Sequence, residues 1–264
     1  MKYLPESISY PDNEKPKLAL LESLFRDWHQ HFANNSAALV KHKPEEMVFD
    51  GFYPHYFQQK KKVLFIGWES VDISGCNYID VLSYAYRVKQ FIGPRTLNRD
   101  KVHSRILRIA HGILNGMPEW QEIPSASEIG GSVGAETGTS FAMMNISKLS
   151  NDSGGSKADW PVINVAHTLS TQGRNFTQEE IAILQPDIVI TMNLEEKLDS
   201  LGQLTKIHFY NEAESYWLDC CGRRCLLVNT WHFAARNKTA ADYYEPICDA
   251  LRRSESVEKP HSTC

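Results

Sequence analysis

Short apolar runs recur along the chain and alternate with segments of helical spacing. Four of these runs are continuous, which is typical of strands that are buried on both faces of a parallel sheet. The runs are VLFIG at 63–67, FAMMNI at 141–146, DIVITM at 187–192 and CLLVNT at 225–230. Helical patterns lie between them, at 78–91, 99–114, 177–184 and 239–253. The alternation predicts a three-layer α/β/α sandwich with a central, mostly parallel, four-stranded sheet.

The remaining segments complete this domain. Residues 16–32 have the apolar spacing of an amphipathic helix, which we expect to pack on the sheet. Thr177 and Glu180 have the spacing of a capping box at the start of their helix. Residues 118–138 are rich in serine, glycine and acids, which predicts a long loop. We expect one domain over 1–264, with a helical extension at 1–50, the α/β/α core at 51–254 and a flexible tail at 255–264.

Composition and charge limit the classes of function. The 264 residues are 42% hydrophobic, enough for a substantial core, yet no run approaches the roughly 18 apolar residues of a membrane span. The N-terminus lacks signal-peptide features, and the six cysteines form no spaced disulfide framework, so we expect a cytoplasmic monomer. A formal charge of −4 argues against a protein that coats polyanions over its whole surface, but it leaves room for a local basic groove.

Chemistry-bearing side chains follow the predicted strands. In an open α/β sheet, ligands bind outside the carboxyl ends of the strands. Those positions hold Trp68 and Glu69 after the first run, Asn145 and Lys148 in or after the second, Asn193 after the third, and His232 after the fourth. The sequence therefore predicts that a carboxylate, amides, an imidazole and cations converge on one edge of the sheet.

The four pieces VLFIGWES, MMNISK, PDIVITMN and VNTWHFAARN resemble, in this order, the uracil-DNA glycosylase superfamily. That family has a Gly-x-x-Pro motif at the end of its first strand, an asparagine that reads the base, and a late His-Pro-Ser motif. The resemblance covers roughly residues 63–237. It implies a uracil-DNA glycosylase-like fold, and a site that needs neither a cofactor nor a metal ion.

The resemblance also implies residue roles. Gly67 matches the opening glycine, and Glu69 falls where the family has its catalytic Asp or Asn. His232 matches the catalytic histidine of the late motif. The base would be contacted by Gly67, Trp68, Tyr78 and Asn145, with the Tyr78 ring stacked on it, and DNA by Lys148, Arg236, Asn237 and Lys238.

These residue types suit cleavage of an N-glycosidic bond. Cleavage builds positive charge on the sugar and negative charge on the departing base. The Glu69 carboxylate could stabilise the positive charge on the sugar, or it could act as the general base that activates water. His232 has a donor for the negative charge on the base, and Asn145 has both donor and acceptor groups for a pyrimidine edge. The target nucleotide must leave the duplex, and an aromatic ring offsets its lost stacking.

Departures from the family pattern bear on the substrate. Ser70 replaces the motif's proline, and Phe233 and Ala234 replace Pro and Ser of the late motif. Residues 94–140 have no counterpart in compact family members and precede the Asn145 strand, so we expect them near the pocket mouth. These features favour a modified pyrimidine over plain uracil, with excision of glucosylated hydroxymethylcytosine from phage DNA, an antiviral defence, as one hypothesis.

Other interpretations remain open. Glu69 alone is as well explained by an ion pair, His232 by a structural hydrogen bond, and Tyr78 by the core. The same fold without catalysis would be a DNA-binding or interaction protein. Cys220, Cys221 and Cys225 are closely spaced, but no second ligand pair at zinc-like distance follows them. The partner expected under either function is DNA, single- or double-stranded.

Overall fold

A seven-stranded sheet forms the centre of the protein. The computed structural model describes residues 2–39, 41–154, 157–209, 213–239 and 241–256. The strands are β1 (Gly51–Phe52), β2 (Val63–Gly67), β3 (Phe91–Ile92), β4 (Arg95–Thr96), β5 (Ala142–Asn145), β6 (Ile188–Met192), β7 (Gln203–Phe209), β8 (Ala213–Cys220) and β9 (Arg223–Thr230). Strands β3 and β4 form a separate two-stranded hairpin, and the other seven lie in the order β1-β5-β2-β6-β9-β8-β7.

The four middle strands, β5-β2-β6-β9, are parallel to one another and correspond to the four apolar runs. The prediction of an α/β fold with a parallel sheet is confirmed. The predicted count of four strands is wrong, because β1 pairs antiparallel with β5, and β8 and β7 extend the other edge antiparallel from β9. Strand β8 alternates between buried and partly buried residues along much of its length, so it gives no continuous apolar run.

Helices cover both faces of the sheet. They are α1 (Lys15–Asn34), α2 (Tyr78–Tyr84), α3 (Lys101–Leu114), α4 (Ala126–Gly131), α5 (Trp160–Thr171), α6 (Phe176–Leu184) and α7 (Ala241–Ser256). Along β2, Val63 and Phe65 belong to one buried cluster with α2, α3, α4 and α7, which we call the front face. Leu64 and Ile66 belong to a second cluster with α1, α5 and α6, the back face. The period of two is what a strand buried on both sides requires.

Helix α1 lies within this core. Its Phe25, Trp28 and Phe32 are fully buried on the back face, so the N-terminal extension contributes directly to the packing of the sheet. At the other end of the chain, α7 runs to Ser256, two residues into the predicted tail, and residues 257–264 lie outside the described residues. Within the described ranges, no helix combines the length and apolar character that crossing a membrane requires.

Two local predictions are corrected, and one helix was not predicted. Helix α6 is capped by Asn175, whose side chain accepts from Gln178 N at 3.0 Å, rather than by a Thr177–Glu180 capping box. The segment 118–138 is not a structureless loop, because it contains a 3-10 turn at Trp120–Glu122 and α4, which Ser125 caps. Helix α5 was not predicted, although Asp159 before Trp160-Pro161 has the composition of a helix start.

Candidate functional site

The carboxyl ends of the four parallel strands are level. Gly67 pairs with Asn145 across β2 and β5, Ile66 with Thr191 across β2 and β6, and Met192 with Thr230 across β6 and β9. Adjacent strands lie about 4.8 Å apart, so the β5 and β9 backbones are about 14 Å apart at this edge. After β2 the chain next enters this sheet at β5, on one side, and after β6 it next enters at β7, on the other side, which makes the boundary between β2 and β6 a topological switch point.

Asn145 and Gly67 are in direct contact on the front face. A Cβ on Gly67 would lie 2.7 Å from Asn145 Oδ1, so only glycine leaves room for this amide. The Asn145 backbone N–H donates to Asp50 Oδ2 at 2.8 Å. Asn145 Nδ2 is inaccessible to solvent and makes no hydrogen bond of good geometry in the described part of the chain, although the amide lies close enough to Tyr78 and Asp50 to oppose the rise in the pKa of each. An unpartnered buried donor is rare in folded proteins, and here it lies at the edge where ligands bind.

Tyr78 lies beside this amide. It is the first residue of α2, and its backbone N–H donates to Phe49 O at 2.7 Å. The ring is partly buried against the front-face core. Burial raises the pKa of the Tyr78 phenol strongly, the carboxylates of Asp50 and Asp100 raise it further, and the Asn145 amide opposes them. Two predicted base-contacting residues, Asn145 and Tyr78, therefore lie next to each other.

Glu69 lies two residues beyond Gly67 and is half-buried. Its Oε1 accepts from Asn151 Nδ2 at 2.9 Å and from Asp159 N, at the start of α5, at 3.2 Å. Its Oε2 is inaccessible and unpartnered among the described residues. Burial raises the pKa of the Glu69 carboxyl group above its usual range. Sequence reasoning did not single out Asn151, whose only signal is its place in the loop that follows β5.

His232 follows β9 and is held as a neutral ring. Its Nδ1 accepts from Ala234 N at 3.2 Å, and its backbone oxygen accepts from Tyr243 Oη at 3.2 Å. Burial lowers the pKa of the imidazole, which favours the uncharged form. Because Nδ1 acts as the acceptor, the proton of the neutral ring is on Nε2. His232 can therefore donate one hydrogen bond without carrying charge.

The loop after His232 is anchored by an arginine of α3. Arg105 donates to Phe233 O and, at 3.0 Å, to Lys238 O, and its guanidinium lies 4.2 Å from the Tyr243 ring centroid. Sequence reasoning did not single out Arg105 for this role, because its two hydrogen bonds link residues 128 and 133 positions apart. Three predicted DNA-contacting residues lie in this loop. Arg236 and Asn237 are exposed, and the partly exposed Lys238 lies over the Trp231 ring.

Two predicted site residues are placed elsewhere. The Trp68 ring packs on the back face against Trp160, and its Nε1 donates to Met192 O at 3.1 Å, so it points away from Asn145. Lys148 is 1% exposed, and its Nζ contacts Asp50 Oδ2 and, at 2.7 Å, Glu180 Oε2. Neither a base contact by Trp68 nor a DNA contact by Lys148 is compatible with these positions, and both predictions are corrected.

The remaining residues share an edge without forming one contact cluster. Glu69, Asn145 and His232 follow three different strands, and no hydrogen bond within the described ranges joins them. A cleft of about 460 Å³ opens beside the same edge and is lined by Asn193, Glu195, Glu214 and Asn229 among others, but by none of those three. This cleft therefore does not join Glu69, Asn145 and His232, which have in common their position at the carboxyl ends of the parallel strands.

Two further findings concern the similarity of this chain to known proteins and its metal-binding side chains. No protein-family model matches the chain, and no curated protein sequence matches it. Among the residues that the structure describes, no three His, Cys, Asp or Glu side chains are grouped so as to hold a metal ion.

Proposed function

We propose that this protein is a DNA glycosylase that flips a pyrimidine nucleotide out of DNA and hydrolyses its N-glycosidic bond, which leaves an abasic site. The observation that carries the proposal is the level ending of four parallel strands that present Asn145, Glu69 and His232 at one edge. The finer fold that goes with it is that of the uracil-DNA glycosylase superfamily, which the motif order in 63–237 resembles.

Each group has a role that follows from its surroundings. The neutral His232 donates from Nε2 to an oxygen of the departing base and stabilises the negative charge that develops there. The unpartnered amide of Asn145 pairs with the base edge, and Tyr78 beside it stacks on the base. Glu69 provides the anion that stabilises the sugar cation or activates water.

The proposed substrate is a modified pyrimidine. Gly67 lies directly against Asn145, and we take this pair as one side of the base position. The opposite wall comes from 94–140, whose helix α3 reaches the His232 loop through Arg105. The altered motif positions Ser70, Phe233 and Ala234, together with the 94–140 segment, are what favour a pyrimidine that carries a ring substituent. Glucosylated hydroxymethylcytosine of phage DNA is the bulky base that we would test first.

The test is base release from a panel of DNA substrates that contain uracil, mismatches or phage-modified cytosine. Abasic sites are revealed as strand breaks after alkali. We expect release from the modified DNA, and a rate lower by about 10²-fold or more in Glu69→Gln, the usual range for loss of a general base. Glu45→Gln, a change of an exposed carboxylate in a 3-10 turn, is the matched control and should keep the wild-type rate. Efficient release of uracil without release of any modified base would refute the proposal that the substrate is a modified pyrimidine.

A second candidate is a DNA-binding protein without turnover. The observation in its favour is that Glu69 Oε1 already accepts two hydrogen bonds while Oε2 is closed to solvent, a placement that also suits a structural carboxylate. This alternative gives a salt-sensitive complex and no base release from any substrate in the panel. Base release that disappears in Glu69→Gln would exclude it.

A further inference from the structure

The segment between Asp80 and Asp100 is basic and exposed. It contains Arg87, Lys89, Arg95 and Arg99 and no acidic residue, in a chain whose overall formal charge is −4. Its cations are interleaved with large apolar side chains at the surface. We use the name basic hairpin surface for Tyr84, Arg87, Val88, Lys89, Phe91 and Arg95, all of which are exposed.

The fold holds this surface out from the core. After α2 the helix widens into a π-helical turn at Ala85–Lys89, and β3 and β4 then form a hairpin. The hairpin turn begins at Gly93, whose φ is +53°, and a Cβ added there would meet no atom within 4 Å. Ile92 packs against the front-face core, and Leu97 is fully buried. The hairpin is therefore anchored at its base, while its tip projects into solvent.

Three apolar side chains of this surface are largely open to solvent. Phe91 is 40% exposed, Tyr84 59% and Val88 67%. None of Arg87, Lys89 and Arg95 forms an ion pair within the ranges that the structure covers. Exposed apolar side chains rimmed by charge are typical of an interaction surface. Cations interleaved with aromatic rings match nucleic acid, since the cations pair with phosphates and a ring stacks on an unpaired base.

The position of the hairpin connects it to the proposed site. Asp100, which caps α3 directly after this segment, is close enough to Tyr78 for its charge to raise the phenol's pKa. One turn farther along α3, Arg105 holds the loop that contains Arg236 and Lys238. The hairpin therefore lies in the chain between α2, which begins at Tyr78, and α3, which is hydrogen-bonded to the His232 loop.

We infer that the basic hairpin surface binds the DNA strand next to the extracted nucleotide. Arg87, Lys89 and Arg95 contact successive phosphates, and Phe91 stacks on an unpaired neighbouring base. The inference rests on the proposed function, because it takes the DNA at this edge as its partner. It adds a DNA-binding element that the strand-end motifs do not contain.

The test measures binding apart from catalysis. Fluorescein-labelled single-stranded and duplex DNA are titrated with the Glu69→Gln protein, and anisotropy is recorded from 50 to 200 mM salt. We expect Arg87→Gln/Lys89→Gln/Arg95→Gln to reduce the slope of log K against log salt by about 2–3, at roughly 0.7–0.9 per lost phosphate contact. Phe91→Ala should weaken single-strand binding about tenfold, as loss of a base-stacking ring does.

A second triple variant is the matched control. Lys60→Gln/Arg223→Gln/Arg252→Gln removes three exposed cations from the opposite, amino-terminal edge of the sheet. It should change the slope of log K against log salt by less than the equivalent of about half a phosphate contact. Equal weakening by both triples would show diffuse attraction, and it would overturn the inference, as would absence of DNA binding in the parent. If the wild-type protein releases bases but the hairpin substitutions leave DNA binding unchanged, the proposed function is supported and the inference that the basic hairpin surface binds DNA is refuted.

Discussion

The buried position of Lys148 leads to a large and specific loss of stability when its charge is removed. Lys148, Asp50 and Glu180 are each 2% exposed or less, and the ammonium contacts both carboxylates. In Lys148→Met, Glu180 would lose the only hydrogen bond that its carboxylate makes in the described structure, and Asp50 Oδ2 would keep only Asn145 N–H. Removal of one partner from a buried ion pair costs about 3–5 kcal/mol, and we expect a loss in that range.

The loss should depend on pH with a defined sign. Burial raises the pKa of Glu180 to about 7, so the folded state holds a proton that the unfolded chain releases near pH 4.5. Stability from this proton is complete below pH 4.5 and is lost as the pH rises through about 7. Without the Lys148 cation, the pKa of Glu180 and that of Asp50 rise further. The free energy lost in Lys148→Met should therefore be larger at pH 8 than at pH 5.5.

Urea unfolding of both proteins at these two pH values gives the difference directly. Lys41→Met is the matched control, because Lys41 also contacts a carboxylate, Asp159, at 2.5 Å but is 57% exposed at its side chain. An exposed pair of this kind contributes about 1 kcal/mol or less. The double variant Lys148→Met/Glu180→Gln should recover part of the loss, since it removes one uncompensated charge. A Lys148→Met loss no greater than that of Lys41→Met, or one that does not change with pH, would refute the reasoning.

Three further predictions concern the edge of the sheet. Gly67→Ala places a Cβ 2.7 Å from Asn145 Oδ1, so the rate of base release should fall at least tenfold while the urea midpoint changes little. Gly131→Ala is the control, because a Cβ there would meet no atom within 4 Å, and it should leave the rate and the midpoint unchanged. Because burial raises the pKa of Glu69, the single-turnover rate of base release should begin to fall while the pH is lowered and is still above 4.5. A rate that stays constant down to pH 4.5 would contradict a role for the Glu69 anion. Arg105→Met removes the donors to Phe233 O and Lys238 O, so hydrogen exchange in 231–238 should rise by at least tenfold, and unchanged protection would show that the loop is held otherwise.

Much of the fold was predictable because burial on both faces leaves a simple trace. The four parallel strands are continuous apolar runs, and each run predicts a strand within one or two residues. Strands β7 and β8 lack that trace because each exposes one side to solvent along part of its length. The helix at 160–171 was missed for another reason, since the polar stretch before it dominates the composition of that region.

The errors at the site come from facts that only three-dimensional contacts determine. Lys148 lies three residues past Asn145, so a surface role was reasonable, but its partners Asp50 and Glu180 are 98 and 32 residues away. The Trp68 error was avoidable. Adjacent residues of a strand point to opposite faces, so Gly67 and Trp68 cannot both face the same base. Thr177 and Glu180 had capping spacing, but Glu180 is engaged by Lys148 and the cap passes to Asn175.

The surroundings of Glu69 differ from those of the other buried carboxylates in a way that bears on catalysis. Asp50 and Glu180 also have one unpartnered oxygen, but each directly contacts the Lys148 ammonium, so each already has a cation. Glu69 has only neutral donors, Asn151 Nδ2 and the N–H of Asp159 at the start of α5, which orient it without neutralising it. The charges of Asp159 and Lys41 act on the pKa of this carboxyl group in opposite directions, and neither side chain forms an ion pair with it in the described structure. A positive charge that develops on a sugar at this edge would therefore be its first direct ionic partner. The same carboxylate in Asp50 or Glu180 would gain little from such a charge, because its electrostatic partner is already in place.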